Sequence, residues 1–170
     1  GYIDLNVLEN VVRDQKNKNN LIISVMFANN ETGIIQPIEK IKEISDYYNI
    51  PFHSDGVQAI GRIKIDFLKL GIDMLTVSSH KLGGPNGAGA LIVSSKSKIL
   101  KPLFLGGHQE DSLRSGTEPL LSIAGFGEAA KLIDINKMVQ LKELRKQYEK
   151  KLKSLNLGIQ IIGENSNRLP

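Results

Sequence analysis

The sequence predicts an α/β layered domain with a mostly parallel sheet and flanking helices. Short strand-like runs alternate along the chain with segments of helical periodicity, the order that builds a parallel sheet covered by helices. Polar clusters directly follow those runs, as they do where a ligand sits beyond the carboxyl ends of the strands. At 170 residues, 41% hydrophobic and 24% charged, the chain has the size and balance of one globular domain with its own core.

Asp4 reads as an N-cap for a helix whose inner face carries Leu5, Leu8, Val11 and Val12. Asn17 to Asn20 is a polar turn. Leu21 to Ala28 is a nearly continuous apolar run, the pattern of a strand buried on both faces. Pro37 suits the first turn of a helix, where its fixed φ and missing N–H cost nothing, and Ile38, Ile41, Ile44 and Tyr48 form that helix's inner stripe. Pro51 to Ser54 is a short strand ending at Asp55. Asp66 to Leu70 is an amphipathic turn leading through Gly71 to a strand at Met74–Val77. A glycine-rich loop separates it from a strand at Ala90–Val93. Ser94 to Leu121 reads as mostly irregular. Helical pattern resumes at Ser122 and is well phased through Leu141, Leu144, Tyr148, Leu152 and Leu155, and Leu157, Ile159 and Ile161 alternate as a closing strand. Residues 1–156 are thus expected to be one cofactor-binding portion, with 157–170 the first strand of, or connection to, a further domain.

Several function classes are excluded at this level. No apolar run approaches the roughly 18 residues of a membrane helix, and Gly1 to Leu5 has neither the basic nor the apolar region of a signal peptide. There is no cysteine, hence no disulfide or thiolate metal site, in keeping with a cytoplasmic location. The net charge is only +4. The basic cluster Lys142 to Lys153 is interleaved with apolar residues at helical spacing and lacks aromatic stacking platforms, so it reads as a solvated helix face rather than a nucleic-acid surface. No metal site is expected.

After the first long strand come Asn29-Asn30-Glu31-Thr32-Gly33, after the second Asp55 and Gln58, after the third Ser78-Ser79-His80-Lys81. Each residue alone has a structural explanation. Asn30 can shape a turn, Asp55 can cap the segment after it, His80 can be a satisfied turn residue, and Lys81 a surface lysine. At successive strand ends of one sheet they would face one crevice. A lysine at the end of a buried strand, close to apolar residues, suits imine formation. A carboxylate can keep a pyridinium nitrogen protonated, and Ser78, His80 and the nearby loop offer donors to a phosphate.

The segment Ser78-Ser79-His80-Lys81-Leu82-Gly83-Gly84-Pro85-Asn86-Gly87-Ala88-Gly89 resembles the cofactor-lysine segment of the class V aminotransferase-like enzymes, above all the cysteine desulfurases that feed iron–sulfur cluster assembly. Asn29 to Gly33, Ser54-Asp55-Gly56-Val57-Gln58 and Arg114-Ser115-Gly116-Thr117-Glu118 are similar to that family's motifs, in the same order and at similar spacing, and the likeness runs from about Ile3 to Pro170. The resemblance implies part of the large domain of a pyridoxal 5'-phosphate-dependent transferase fold. It implies that Lys81 forms the imine with the cofactor and moves protons at the substrate α-carbon. Asp55 would pair with the pyridine nitrogen, Gln58 with the phenolic oxygen, and Asn30 would lie near cofactor and substrate. Ser78 and His80 would bind the phosphate, and Thr117 would reach the phosphate in a partner subunit, implying a homodimer. The implied substrate is L-cysteine and the implied partners are sulfur-acceptor or scaffold proteins. The Arg-Ser-Gly-Thr-Glu form is similar to the branch tied to general cluster assembly or nitrogen fixation.

The family's N-terminal phosphate loop and ring-stacking histidine are missing here, and its sulfur-accepting cysteine and carboxylate-binding arginine would fall beyond Pro170. This piece is therefore expected to be inactive alone. Other readings stay open. Another class V enzyme, a transaminase or selenocysteine lyase, would differ by the cysteine loop of the full-length gene. A non-catalytic fragment would differ by failing to bind cofactor. A nucleotide-binding domain would use Gly83 to Gly89 as a phosphate cradle, but that loop lacks Gly-x-x-x-x-Gly-Lys-Ser/Thr and Gly-x-Gly-x-x-Gly.

Overall fold

In the computed structural model, which describes residues 1–95 and 101–170, four strands hydrogen-bond in chain order into one sheet. Strand β1 (Ile23–Met26) runs parallel to β2 (Phe52–Asp55), which runs parallel to β3 (Met74–Ser78). Strand β4 (Gly89–Val93) returns antiparallel to β3, with Ser78 opposite Gly89. The carboxyl ends of the first three strands therefore lie along one rim, and the start of β4 joins them there.

The helices begin and end where local chemistry dictates. In α1 (Leu5–Arg13) the Asp4 carboxylate accepts the free N–H groups of Asn6 and Val7 at 2.9 and 3.1 Å. Helix α2 (Ile38–Tyr48) starts after Pro37 and ends at Asn49, whose φ of 52° is the left-handed conformation asparagine tolerates better than most residues. The short α3 (Phe67–Leu70) is capped by Asp66 and α5 (Ile135–Ser154) by Asp134, while α4 (Leu120–Lys131) follows Pro119.

One face of the sheet carries the core. Ile23, Phe52, Leu75 and Val77 point to the side where Val12 of α1 and Ile38 and Ile41 of α2 are buried. Phe52 and Ile41 are wholly excluded from solvent, and each such side chain stabilises the fold by about 1.5–3 kcal/mol. Two buried hydroxyls on this side are satisfied, Ser54 Oγ donating to the Val25 carbonyl at 2.9 Å and Ser45 Oγ to the Ile50 carbonyl at 2.6 Å. By strand alternation, Ser24, Met26, His53, Asp55, Thr76 and Ser78 occupy the opposite face.

Four expectations need correction. The run Leu21–Ala28 yields a strand of only Ile23–Met26, and Ser24 and Met26 are exposed, so β1 is buried on one face rather than two. Val11 is exposed, because the inner face of α1 centres on Val12 with Leu5 and Leu8 half-buried. Leu141, Leu144, Tyr148 and Leu155 of the α5 segment are exposed, since no described element packs over them. Leu157, Ile159 and Ile161 form no strand. That segment instead turns back until Arg168 makes a single antiparallel bridge with Ile34, the Leu169 N–H donates to the Gly33 carbonyl, and Leu169 is buried. The irregular stretch expected over Ser94–Leu121 holds a tight turn at Gln109–Ser112, in which Glu110 and Asp111 have positive φ, and its residues 96–100 lie outside the described residues. Among the described residues no helix is long and apolar enough to cross a membrane.

Candidate functional site

Asp55 is the last residue of β2 and stands exposed at the rim. Its Oδ1 accepts the Val57 N–H at 2.9 Å, and no described group donates to Oδ2. The chain turns away at Gly56, where a Cβ would meet Leu75 Cδ1 at 2.7 Å and the Thr76 carbonyl at 3.1 Å. Only glycine lets the strand end so close to β3, and the carboxylate is thereby kept on the sheet's rim. Gln58 lies just beyond. Its Oε1 and its own carbonyl both accept from Arg62 Nη1, at 2.6 and 2.8 Å, which leaves the side-chain NH2 free to donate.

One strand over, Ser78 ends β3, and Ser79–Leu82 coil into a single 3-10 turn. Ser78 Oγ and His80 Nδ1 share a hydrogen bond of 2.8 Å, so the pair is held as one unit. Lys81 follows, exposed and bonded to no described residue. Sequence reasoning placed it close to apolar residues. It does border a cavity of about 340 Å³ with Ile60, Leu82, Ile133 and Met138, but none of the other expected site residues lines that cavity. The glycine-rich loop of the sequence thus starts as a helical turn, closed by Gly83 at φ 84°.

On the other side of Asp55, the loop after β1 is organised by Asn29 rather than Asn30. Asn29 Oδ1 accepts from the Glu31 N–H, the Thr32 N–H and Thr32 Oγ1 at 3.0, 2.8 and 3.0 Å, and its Nδ2 donates to Met26 Sδ at 3.5 Å. Asn30 stands exposed at the tip of that turn. Thr117 does not lie at a strand end. It is exposed in the segment before α4, where the Gly116 N–H donates to Gln109 Oε1 at 3.3 Å and the Arg114 guanidinium lies 5.6 Å from the centre of the Phe104 ring.

The structure therefore places Asn30, Asp55 with Gln58, and Ser78 with His80 and Lys81 at the ends of three consecutive strands, and Thr117 in the segment before α4. One polar side chain behind Asp55, that of His53, was missed. His53 accepts or donates at both ring nitrogens, Nδ1 with Ser24 Oγ at 2.8 Å and Nε2 with Thr76 Oγ1 at 2.7 Å. The signal was present, since His53 and Asp55 are two apart on one strand and share a face. Among the described residues, the two ionisations that the fold displaces lie elsewhere. The Tyr48 phenol is raised by desolvation and by Glu9, and the Glu143 carboxyl is lowered by its hydrogen bond to Lys146. Among the described residues no cluster of histidines and carboxylates could hold a metal ion.

The donor set fits pyridoxal phosphate. A carboxylate with one oxygen free suits a pyridinium N–H, a hydroxyl–imidazole pair suits a phosphate, a free amide donor suits a phenolate, and an unpaired amine suits an aldehyde. Comparisons with known proteins agree. The model of the family described as aminotransferase class-V matches residues 1–169. A cysteine desulfurase IscS of Dictyoglomus turgidum is 39% identical over 173 residues, covering 100% of this chain and 43% of that protein. The solved structure of a NifS-like protein from Rickettsia africae superimposes with a TM-score of 0.92 at 42% identity, covering 100% of this chain and 47% of the other. A structure of SspA in complex with cysteine gives a TM-score of 0.74 at 37% identity, covering 88% of this chain and 42% of the other. The chain thus spans less than half the length of these relatives.

Proposed function

This chain belongs to the aminotransferase class-V family, and on that premise we propose that it is the cofactor-binding part of a pyridoxal-phosphate-dependent cysteine desulfurase. The observation that carries the proposal is the row of groups on one rim: Asp55 with a free carboxylate oxygen, the bonded Ser78–His80 pair, and an unpaired Lys81. When bound, pyridoxal phosphate supplies an electron sink for a carbanion at the substrate's α-carbon. Lys81 would hold the cofactor through its aldehyde carbon and then carry a proton to and from that α-carbon. Asp55 Oδ2 would keep the ring nitrogen protonated. The free Gln58 NH2 would donate to the phenolic oxygen, and Ser78 and His80 would bind the phosphate while Asn30 borders the substrate.

The substrate we propose is L-cysteine, consistent with its presence in the SspA neighbour. Its sulfur would leave as a persulfide on a cysteine outside this cysteine-free chain, releasing alanine and supplying sulfur-acceptor or scaffold proteins for iron–sulfur clusters. Residues 1–156 would form the cofactor-binding portion and 157–170 lead toward a further domain, in a protein of the cytoplasm. Thr117 would serve the partner's cofactor phosphate in a homodimer. Its segment is flanked by Leu103, Leu105, Leu120 and Leu121, all more than 70% exposed in the isolated chain, as an interface buried by a second subunit would be.

In the full-length protein, borohydride should fix the cofactor covalently at Lys81, and Lys81→Ala should abolish both that link and sulfide release from cysteine. Fixation at another lysine in the variant would overturn the assignment. The 170-residue chain by itself should release no sulfide.

A further inference from the structure

We infer that His53 is a positioning residue for Asp55, acting through Thr76. The inference rests on the proposed pairing of Asp55 with the cofactor's ring nitrogen. His53 and Asp55 lie on the same face of β2, two residues and about 6.5 Å apart along the strand. In register, Asp55 lies between Met26 on β1 and Thr76 on β3. Both neighbours are pinned. Met26 Sδ takes Asn29 Nδ2 at 3.5 Å, and Thr76 Oγ1 is held by His53 Nε2 at 2.7 Å.

The histidine is itself fixed from the far side by Ser24 Oγ at 2.8 Å. A neutral imidazole donates at one nitrogen and accepts at the other, and hydroxyls can do either, so both bonds are satisfied whichever tautomer is present. One ring thus ties three parallel strands together in the layer directly behind the carboxylate. With its hydroxyl held, Thr76 is confined to one of its staggered rotamers. The wall on the β3 side of Asp55 is then a fixed surface. Among the described residues the Asp55 carboxylate accepts a single hydrogen bond, from the Val57 N–H, so its remaining freedom is limited by these two walls.

A residue that only staples strands would affect every ligand of the site alike. A residue that aims Asp55 at the ring nitrogen would matter only when that nitrogen is present. The test uses the full-length protein reconstituted with pyridoxal phosphate or with the analogue that has carbon in place of the ring nitrogen, measuring the apparent dissociation constant of each. His53→Ala should weaken pyridoxal phosphate by about fivefold, the loss of one hydrogen-bonded contact's worth of order, and change the analogue by less than about twofold. Thr76→Val should reproduce that split, providing a second variant should His53→Ala fold poorly.

Rescue separates the two arms of the network. His53→Gln can place its amide where Nε2 reaches Thr76 and should restore most of the affinity. His53→Asn matches Nδ1, retains the bond to Ser24, and should not. Equal weakening of both ligands, or rescue by Asn rather than Gln, would overturn the role. If the wild-type protein does not carry pyridoxal phosphate on Lys81, the underlying reading fails at the first measurement, before any variant is compared, and the inference falls with it.

Discussion

Replacing Gly84 or Ser79 tests how the turn carrying Lys81 is packed. Ser79 is wholly buried, and its Oγ has no hydrogen-bond partner among the described residues. A Cβ at Gly84 would stand 2.4 Å from that Oγ, 3.1 Å from Ala129 Cβ and 3.3 Å from the Ser79 carbonyl. The clash is steric, because Gly84 is not among the glycines with positive φ. Overpacking of this kind costs about 1–3 kcal/mol, offset by about 0.4–1 kcal/mol from a less flexible unfolded chain. Gly84→Ala should therefore destabilise the turn by about 1–2 kcal/mol. Ser79→Ala removes an unpartnered buried hydroxyl and should be neutral or stabilising by about 1 kcal/mol. In the double variant the 2.4 Å contact is gone, so the two changes should couple favourably by about 1 kcal/mol. Hydrogen exchange of the Gly83 and Gly84 amides in the full-length protein reads the local opening free energy directly. A destabilising Ser79→Ala would mean that the hydroxyl has a partner. Strict additivity would mean that Gly84 packs against something else.

Asn29→Ala removes three hydrogen bonds from the turn after β1 and should loosen it by about 1.5–3 kcal/mol. Asn29→Asp keeps the acceptor and should lose much less, and equal exchange protection in the two variants would count against Asn29 as the organiser of that turn. Asp55→Ala should retain part of the cofactor but lower turnover of cysteine by about a hundredfold or more, as loss of a fixed charge at a reacting centre does. Near-normal turnover would remove its role.

The strand ends were legible because the chemistry of this fold gathers at them. Asp55 and Ser78 each end a short run read as a strand, and both runs became strands within one residue of expectation. Asp4 was legible as a cap because a carboxylate before an apolar-periodic segment has few other uses, whereas the capping by Asp66 of the turn it begins was seen only in the structure. The failures share one cause. An apolar pattern states that a surface is to be covered, not by what. The α5 leucines and Met26 have that pattern and remain uncovered by any described element, and Leu157 to Ile161 alternate like a strand without a neighbour to pair with. His53 escaped notice for a different reason. Its ties run to Ser24 and Thr76, residues more than 20 positions away on other strands, and no local pattern announces them. Gln58 was expected at the site, but its anchoring by Arg62 one helical turn later was visible only in the structure.

The antiparallel pairing of β3 with β4 also bears on how the rim is assembled in time. The segment from Ser79 to Ala88 is a hairpin connection, closed where Ser78 faces Gly89 and by the Ser79 N–H donating to the Ala88 carbonyl at 3.1 Å. Its two ends meet at a small loss of chain entropy. Asp55 joins the rim only after a parallel crossover brings β2 to β3, and Asn30 only after a second crossover brings β1 to β2. Non-local pairings of that kind form late. The lysine turn is thus the part of the rim with the shortest search, while the carboxylate and amide arms depend on the longer loop closures of the two crossovers.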